Sequence, residues 1–365
     1  MFIALVAFII VLTMITDPRT AGCLNEIKDD FSLHDSAYTS DGSLQQPEEY
    51  SYRPASSEEF VFKNMKAFGF DSPKNPPTCP AIEHPKVKPS IDQYKEELKR
   101  YYQLIQDFEP INDLRKHLDR KNHSVCDKLD LVPGGLEKIF QSQQISWTPS
   151  GYVEPLLPPF RHLDFCRSPG RRALFDMTYL VHDFGHMCRK LKKSSQIVLI
   201  DMGASLQFHG SMMAPPVYLT SIFQKMGFKF DHIYAYETTP TKPAAVFKLV
   251  PESLQAAYHW INIGVSSEVG AKDNPLTLLL REYSEDDLIV VKLDIDTSFI
   301  ETPLAHQILN DDRFAKLIDH FYFEHHVHMK ELAPNWMKSM NGTVEESLKL
   351  FSGLRRKGIS AHYWP

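Results

Sequence analysis

Ile197-Val198-Leu199-Ile200-Asp201-Met202-Gly203-Ala204-Ser205 decides the fold. Four apolar residues run straight into an acid, a glycine and two small residues. A strand buried in a parallel sheet has this composition where its carboxyl end meets a ligand. Gly203 lets the backbone turn tightly and come close to a bound group. In a doubly wound sheet the cofactor crevice lies directly above such a turn.

Downstream of Gln196 the chain alternates between strand and helix patterns, which predicts a parallel sheet with crossover helices. The expected strands are 197–201, 232–236, 258–265, 288–293 and 320–324, with a last one at 359–363. Helices are expected at 216–226, 242–250, 303–309 and 344–357. Pro216 near a helix start and Gly227 beyond its end follow the usual asymmetry. Thr343 with Glu346 has the form of a capping box.

Upstream the signals are weaker. A helix over 171–191 carries Leu174, Met177, Leu180, Val181, Phe184 and Met187 on one stripe. Glu154-Pro155-Leu156-Leu157-Pro158-Pro159-Phe160 is an extended connector, because its prolines exclude a regular helix. Tyr94, Leu98, Tyr101, Tyr102, Ile105 and Phe108 fall at helical spacing, with Ser90 and Gln93 as a capping box. Shorter helical pieces are expected at 114–118 and 129–140. Asp, Ser, Gln, Glu and Pro dominate residues 24–90, which predicts a low-order linker with one short helix near 57–68. The expected division is therefore 1–22, a linker 23–89, a mostly helical extension 90–195 and a catalytic-type α/β domain 196–365.

Phe2 to Ile15 is almost wholly apolar and stops at Asp17-Pro18-Arg19. That length suits a signal-peptide core better than a membrane span of roughly 20 residues. A cleaved signal, an uncleaved anchor and a buried helix remain as readings, and the first two place the chain in the secretory pathway. Asn122-His123-Ser124 and Asn341-Gly342-Thr343 are then glycosylation triplets. The net charge is −6 and no stretch interleaves basic and aromatic residues, so a nucleic-acid partner is not expected. Cys23, Cys79, Cys126, Cys166 and Cys188 include no CxxC pair, which disfavours a cysteine zinc site. One or two disulfides fit an oxidising compartment, with connectivity open.

A nucleoside cofactor needs a close backbone approach after the first strand, an acid after the second for ribose hydroxyls, and polar groups after the third for the base. Gly203, then Glu237, then Asn262 with Gly264 supply these in order. The fourth strand ends Lys292-Leu293-Asp294-Ile295-Asp296, where Asp294 and Asp296 alternate onto one face. A cap for the next helix and a salt bridge to Lys292 is the plainer reading of those acids. The fifth strand ends Phe323-Glu324-His325-His326-Val327-His328, where Glu324, His326 and His328 share a face and His325 points away. Neighbouring fourth and fifth strands bring Asp294, Asp296, Glu324 and His326 to one rim. A general base there competes with a metal site built from imidazole and carboxylates, and with plainly packed histidines. His182, Asp183 and His186 lie on a helix without the HExxH pattern, and His209 lies in the loop after Ser205. No GxSxG elbow and no P-loop occur, which disfavours hydrolase readings.

This ordered series resembles the FkbM-type methyltransferases, a branch of the S-adenosylmethionine-dependent, Rossmann-like methyltransferase fold. The family's Asp-Val-Gly-Ala-Asn is similar to Asp201-Met202-Gly203-Ala204-Ser205. Its acid after strand two resembles Glu237, its Asn-x-Ala-x-Ser resembles Asn262-Ile263-Gly264-Val265-Ser266, and its Lys-Ile-Asp-Val-Glu-Gly resembles Lys292-Leu293-Asp294-Ile295-Asp296-Thr297. Gln207 and Thr297 stand where the family carries glycines. The likeness runs from Gln196 to the C-terminus. It implies a class I methyltransferase-type, doubly wound, mostly parallel sheet behind an N-terminal helical and irregular extension. It further implies S-adenosylmethionine as cofactor, held by Asp201, Gly203, Ser205, Glu237 and Asn262; no metal is expected. The expected acceptor is a small-molecule hydroxyl or, if the N-terminus directs the chain to the secretory route, a glycan hydroxyl, with Asp294, Asp296 and His326 near the reacting atoms. The rivals are a secreted or membrane-tethered binding module that keeps the fold, and a metal-dependent enzyme using the Asp and His rim.

Overall fold

Leu288-Ile289-Val290-Val291 and Phe321-Tyr322-Phe323 are as apolar as Ile197–Ile200, and all three runs are buried in full. Strands covered on both faces have that composition, because each face packs against helices. The computed structural model describes residues 51–107, 140, 144–158, 164–166, 179–180, 184–192, 194–206, 215–225 and 227–364. The N-terminal apolar segment, the expected piece at 114–118, all but Phe140 of the one at 129–140, Asn122, His182, Asp183 and His209 lie outside them.

Six parallel strands form the main sheet: β3 (Ile197–Met202), β4 (His232–Tyr236), β5 (Tyr258–Ile261), β6 (Leu288–Leu293), β7 (Ile318–Phe323) and β8 (Ser360–Tyr363), in spatial order β5-β4-β3-β6-β7-β8. This is the doubly wound order, three strands to each side of a switch point between β3 and β6. Every pairing is parallel, so all six carboxyl ends share one edge. A separate antiparallel hairpin, β1 (Ser146–Thr148) with β2 (Gly151–Val153), was not expected in a helical extension. Its strands are too short for their alternation to register. It docks on the far edge of the sheet through Thr148 Oγ1 to Ser360 Oγ, 2.9 Å, and Ser150 N–H to the Gly358 carbonyl, 3.1 Å.

The helices are α1 (Ser56–Lys63), α2 (Cys79–Ile82), α3 (Lys88–Asp107), α4 (Phe184–Lys190), α5 (Pro215–Lys225), α6 (Pro243–Leu249), α7 (Glu252–Gln255), α8 (Pro275–Glu282), α9 (Ser298–Asn310), α10 (Asp312–Leu317), α11 (Ala333–Trp336) and α12 (Val344–Arg356). The Thr343 hydroxyl and the Glu346 carboxylate cap α12 reciprocally, and Gly227 has φ +87 beyond α5.

Several local expectations move. α9 begins five residues before Pro303, because the Thr297 carbonyl already accepts from Ile300 and Glu301. β5 stops at Ile261, because Asn262 turns its amide to a neighbouring loop. α3 begins at Lys88, so Ser90 and Gln93 lie within the helix instead of capping it, and the Ser90 hydroxyl bonds Gln144. Tyr179 and Leu180 lie in a turn, and the helix expected from 171 is described only from Phe184.

Residues 51–89 are packed against the rest despite their polar composition. Val61, Phe70, Ala81, Ile82 and Val87 join the same apolar cluster as the sheet. Glu331 accepts the N–H groups of Thr78 (2.9 Å) and Cys79 (3.1 Å) at the start of α2, and Phe70 O accepts from Glu345 N, 2.9 Å. A Cys79–Cys166 disulfide, Cα–Cα 5.3 Å, closes a separation of 87 residues, and Cys188 is also disulfide-bonded. Tertiary partners hold this segment, which local composition cannot report.

Candidate functional site

The sequence places its polar residues where the strands end, and the shared edge gathers them. A cavity of about 520 Å³ opens there. Gly203 and Ser205 follow β3, Glu237, Thr238 and Thr239 follow β4, and Ile263, Gly264 and Val265 follow β5. Asp294, Ile295, Asp296 and Thr297 follow β6, Glu324 follows β7, and Trp336 from α11 faces them. Its size suits a small ligand or cofactor. Gly203, Ser205, Glu237, Asp294 and Asp296 therefore share one hollow, as the series of motifs requires.

Gly203 lines the cavity and also meets a second constraint. Its φ is +94, and a Cβ there would stand 1.5 Å from the Asp294 carbonyl oxygen. The close approach is to the neighbouring strand end, so the glycine lets the β3 and β6 loops touch beneath the cavity. Gly203 and Ala204 both donate to the Tyr236 carbonyl, 3.0 and 2.9 Å, which ties the β4 loop to the same point.

Asp201 does not line the cavity. It is fully buried and its Oδ1 accepts from Lys292 Nζ at 3.0 Å. Lys292, equally buried, also reaches Asp294 Oδ2 (3.0 Å) and the Gly203 carbonyl (3.2 Å), and lies over the Trp364 ring. Its three donors are thus all engaged. Burial pushes the Asp201 carboxyl up to about 6 against the pull of Lys292. Burial also opposes ionisation of Asp294, but Lys292, a Glu324 hydrogen bond and His326 outweigh it and hold that carboxyl below its ordinary value. The two carboxylates raise the Lys292 ammonium despite its burial, so it stays charged.

Asn262 also stands outside the cavity lining. Its Nδ2 donates to the carbonyls of Glu237 (2.6 Å) and Thr239 (2.8 Å), and its Oδ1 accepts from Thr241 N, 2.9 Å. It braces the loop that carries Glu237. The Glu237 Oε1 accepts from Thr239 N–H at 2.6 Å, which aims its carboxylate at the cavity mouth.

The β7 end supplies the other wall. His326 lies behind the cavity surface, with Nε2 3.2 Å from Glu324 Oε1, Nδ1 3.1 Å from Ser339 Oγ and 3.9 Å from Asp296 Oδ1. Trp336 Nε1 donates to the same Glu324 oxygen, 3.1 Å. The alternation expected after β7 is present. His325 points the other way, stacked on Phe323 and bonded to Ser347, and burial lowers its pKa to about 3. His328 leaves the group to meet Asn75, 3.2 Å. His186, on α4, does not line the cavity.

Two contributors carried no local signal. Trp336 reaches the cavity from a four-residue helix, and Glu301 lies under the β6 loop. Glu301 is buried, its Oε1 accepts from Ile295 N at 2.8 Å, and burial lifts its carboxyl to about 8. It supports the turn in which Asp296 adopts φ +55, a conformation that non-glycine residues seldom hold. Compared with known proteins, the chain matches no family model, no curated protein and no solved structure.

Proposed function

We propose that the chain is an S-adenosylmethionine-dependent methyltransferase acting on the hydroxyl of a small-molecule or glycan acceptor. One observation carries this reading. Glu237, Asp294, Asp296 and Glu324 line the cavity, and among the described residues no lysine or arginine does. Nicotinamide and nucleoside-phosphate cofactors bring several negative charges, which call for cations or a helix N-terminus close to the turn. A nucleoside whose polar end carries a sulfonium and an ammonium against one carboxylate, net +1, is the better electrostatic match to such a wall.

Glu237 holds ribose hydroxyls, and Ile263 and Val265 flank the base. Gly264 keeps that wall thin, since a Cβ there would stand 3.3 Å from Thr238 Oγ1. S-adenosylmethionine, when bound, supplies an electrophilic methyl group. The protein's part is orientation of the acceptor oxygen and removal of its proton. Glu324 is the carboxylate at the cavity surface placed to accept that proton, while Asp294, held ionised by Lys292, orients the acceptor, and Trp336 covers one side of them. His326 acts one step behind, through Glu324.

The disulfide at Cys79 and Cys166 supports a secretory setting, since such bonds persist in oxidising compartments. No described helix is long and apolar enough to cross a membrane.

Thermal shift of the full-length protein separates cofactor classes. S-adenosylmethionine and S-adenosylhomocysteine raise the melting temperature, while NAD and ATP do not; saturation at a hundred times Kd stabilises by about 2.7 kcal/mol. Glu237→Ala abolishes the shift. A shift with NAD or ATP alone, or none with either adenosyl ligand, overturns the assignment.

A further inference from the structure

We infer that Asp296, Glu324 and His326 form a divalent-cation site at the edge of the cavity. The register makes the cluster: β6 and β7 are hydrogen-bonded neighbours with Leu293 opposite Phe323, and Glu324 N–H donates to the Leu293 carbonyl at 3.1 Å. The two strands therefore release their loops side by side. One candidate ligand atom from each of the three residues lies within 4.8 Å of the others.

The spacing and the hydrogen positions agree with a cation. Bonds of about 2.1 Å place neighbouring ligand atoms roughly 3.0–3.4 Å apart in octahedral or tetrahedral geometry. His326 Nε2 and Glu324 Oε1 stand 3.2 Å apart. Ser339 Oγ stands 3.1 Å from the Trp336 carbonyl and 3.1 Å from His326 Nδ1, so with its one hydrogen on the carbonyl it accepts from the imidazole. In the tautomer that a cation selects, the imidazole proton sits on Nδ1 and the Nε2 lone pair serves the ion. A divalent cation between Nε2 and the Glu324 oxygen would bond both at the spacing they already hold. This is the arrangement of a metal-bound histidine, whose second nitrogen is fixed by an outer partner. Trp336 Nε1–H fixes the Glu324 carboxylate in the same way.

Charge points in the same direction. Lys292 is engaged by Asp201 and Asp294, and Glu324 and Asp296 add two more carboxylates beside them. Asp296 is 72 % exposed, so its carboxylate is able to swing onto an ion from the solvent side. One imidazole with two carboxylates suits Mn²⁺ or Zn²⁺ better than Ca²⁺, which prefers oxygen throughout. The site stands on these residues whatever the cofactor is. Its catalytic use rests on the methyltransferase reading, in which a cation at Glu324 would take up the acceptor oxygen and ease loss of its proton.

The test is a Mn²⁺ titration of the full-length protein, stripped with EDTA and followed by the electron paramagnetic resonance signal of free Mn²⁺, with Zn²⁺ as competitor. One Mn²⁺ per chain should bind and be displaced by Zn²⁺. Asp296→Asn, at an exposed position where asparagine tolerates positive φ, should weaken binding roughly 10–100-fold while the melting temperature holds. Glu324→Gln should weaken it further, and Glu237→Ala should leave it unchanged. Wild-type protein that leaves Mn²⁺ and Zn²⁺ free, or binding indifferent to both Asp296→Asn and Glu324→Gln, overturns the site. Mn²⁺ binding without any adenosyl ligand binding would overturn the cofactor assignment alone, and the reverse would overturn the metal site alone.

Discussion

Lys292 and Arg355 are both fully buried cations held by carboxylates, yet they serve the molecule differently. Arg355 donates to the carbonyls of Ala361 (2.9 Å) and Glu154 (2.8 Å) and to Glu154 Oε1 (3.0 Å), and His362 Nδ1 meets the other Glu154 oxygen at 2.8 Å. Glu58 completes that ring, 3.9 Å from Arg355, while accepting from Ser146 and Leu156. The network joins α1, the β1–β2 hairpin, α12 and β8, and none of its members lines the strand-end cavity. Lys292 bonds Asp201 on its buried side and Asp294 on the side that opens to the cavity. A closed network of charges fixes how elements dock. The same chemistry opened at one end fixes a carboxylate where a ligand arrives.

Replacing each cation by an apolar side chain of similar length tests that contrast most severely. Arg355→Met and Lys292→Met each leave buried carboxylates uncompensated and should cost about 3–5 kcal/mol in urea denaturation. Only Lys292→Met should also abolish the adenosyl-ligand thermal shift in protein that remains folded. Equal ligand binding by the two variants would dissolve the distinction.

Gly203→Ala comes next. It adds a Cβ onto the Asp294 carbonyl in a left-handed conformation, and overpacking of this kind costs about 1–3 kcal/mol before strain is counted. Since the β3 and β6 loops touch at this glycine, ligand binding should fall along with stability. A variant with wild-type melting temperature would show that the contact is not tight.

The buried acids give a smaller, pH-dependent signal. Burial raises Glu301 to about 8 and Asp201 to about 6, both above their unfolded values. Between the unfolded and folded values the native state holds protons that the unfolded chain has released. Stability from these groups is complete below the unfolded pKa and is lost as pH rises through the folded one, by up to about 1.4 kcal/mol per pH unit for each group. Glu301→Gln should flatten the decline between about pH 6 and 8, and urea titrations across that window would show it. The same slope in wild type and variant would assign the decline elsewhere.

Glu237→Ala is the mildest change. Its carboxylate is only partly buried, so stability should stay within about 0.5 kcal/mol while adenosyl-ligand binding is lost. Retained binding, measured by calorimetry, would move the ribose contact away from the β4 end.

The sequence by itself determined the sheet and the edge on which chemistry collects. Unbroken apolar runs at β3 and β6, and the Phe321-Tyr322-Phe323 end of β7, declare burial on both faces, and the polar residues that end them mark the carboxyl edge, because both signals are local. The series Gly203, Glu237, Asp294, Asp296 could therefore be read in order and is found around one cavity. Tertiary structure decided what each residue faces. Asp201 and Asn262 have the residue types of cofactor contacts, but Lys292 from the adjacent strand and the backbone of the β4 loop engage them first. Gly203 is required by a carbonyl 91 residues away, Trp336 arrives from beyond β7, and the polar segment from Ser51 to Lys88 is held by the Glu331 carboxylate and by Arg355 with its partners. Such pairings depend on which strands are neighbours, and no stretch of chain encodes its neighbour's register. Spacing along the sequence tells which side chains share a face; only packing shows whether that face meets solvent, a ligand or another buried charge.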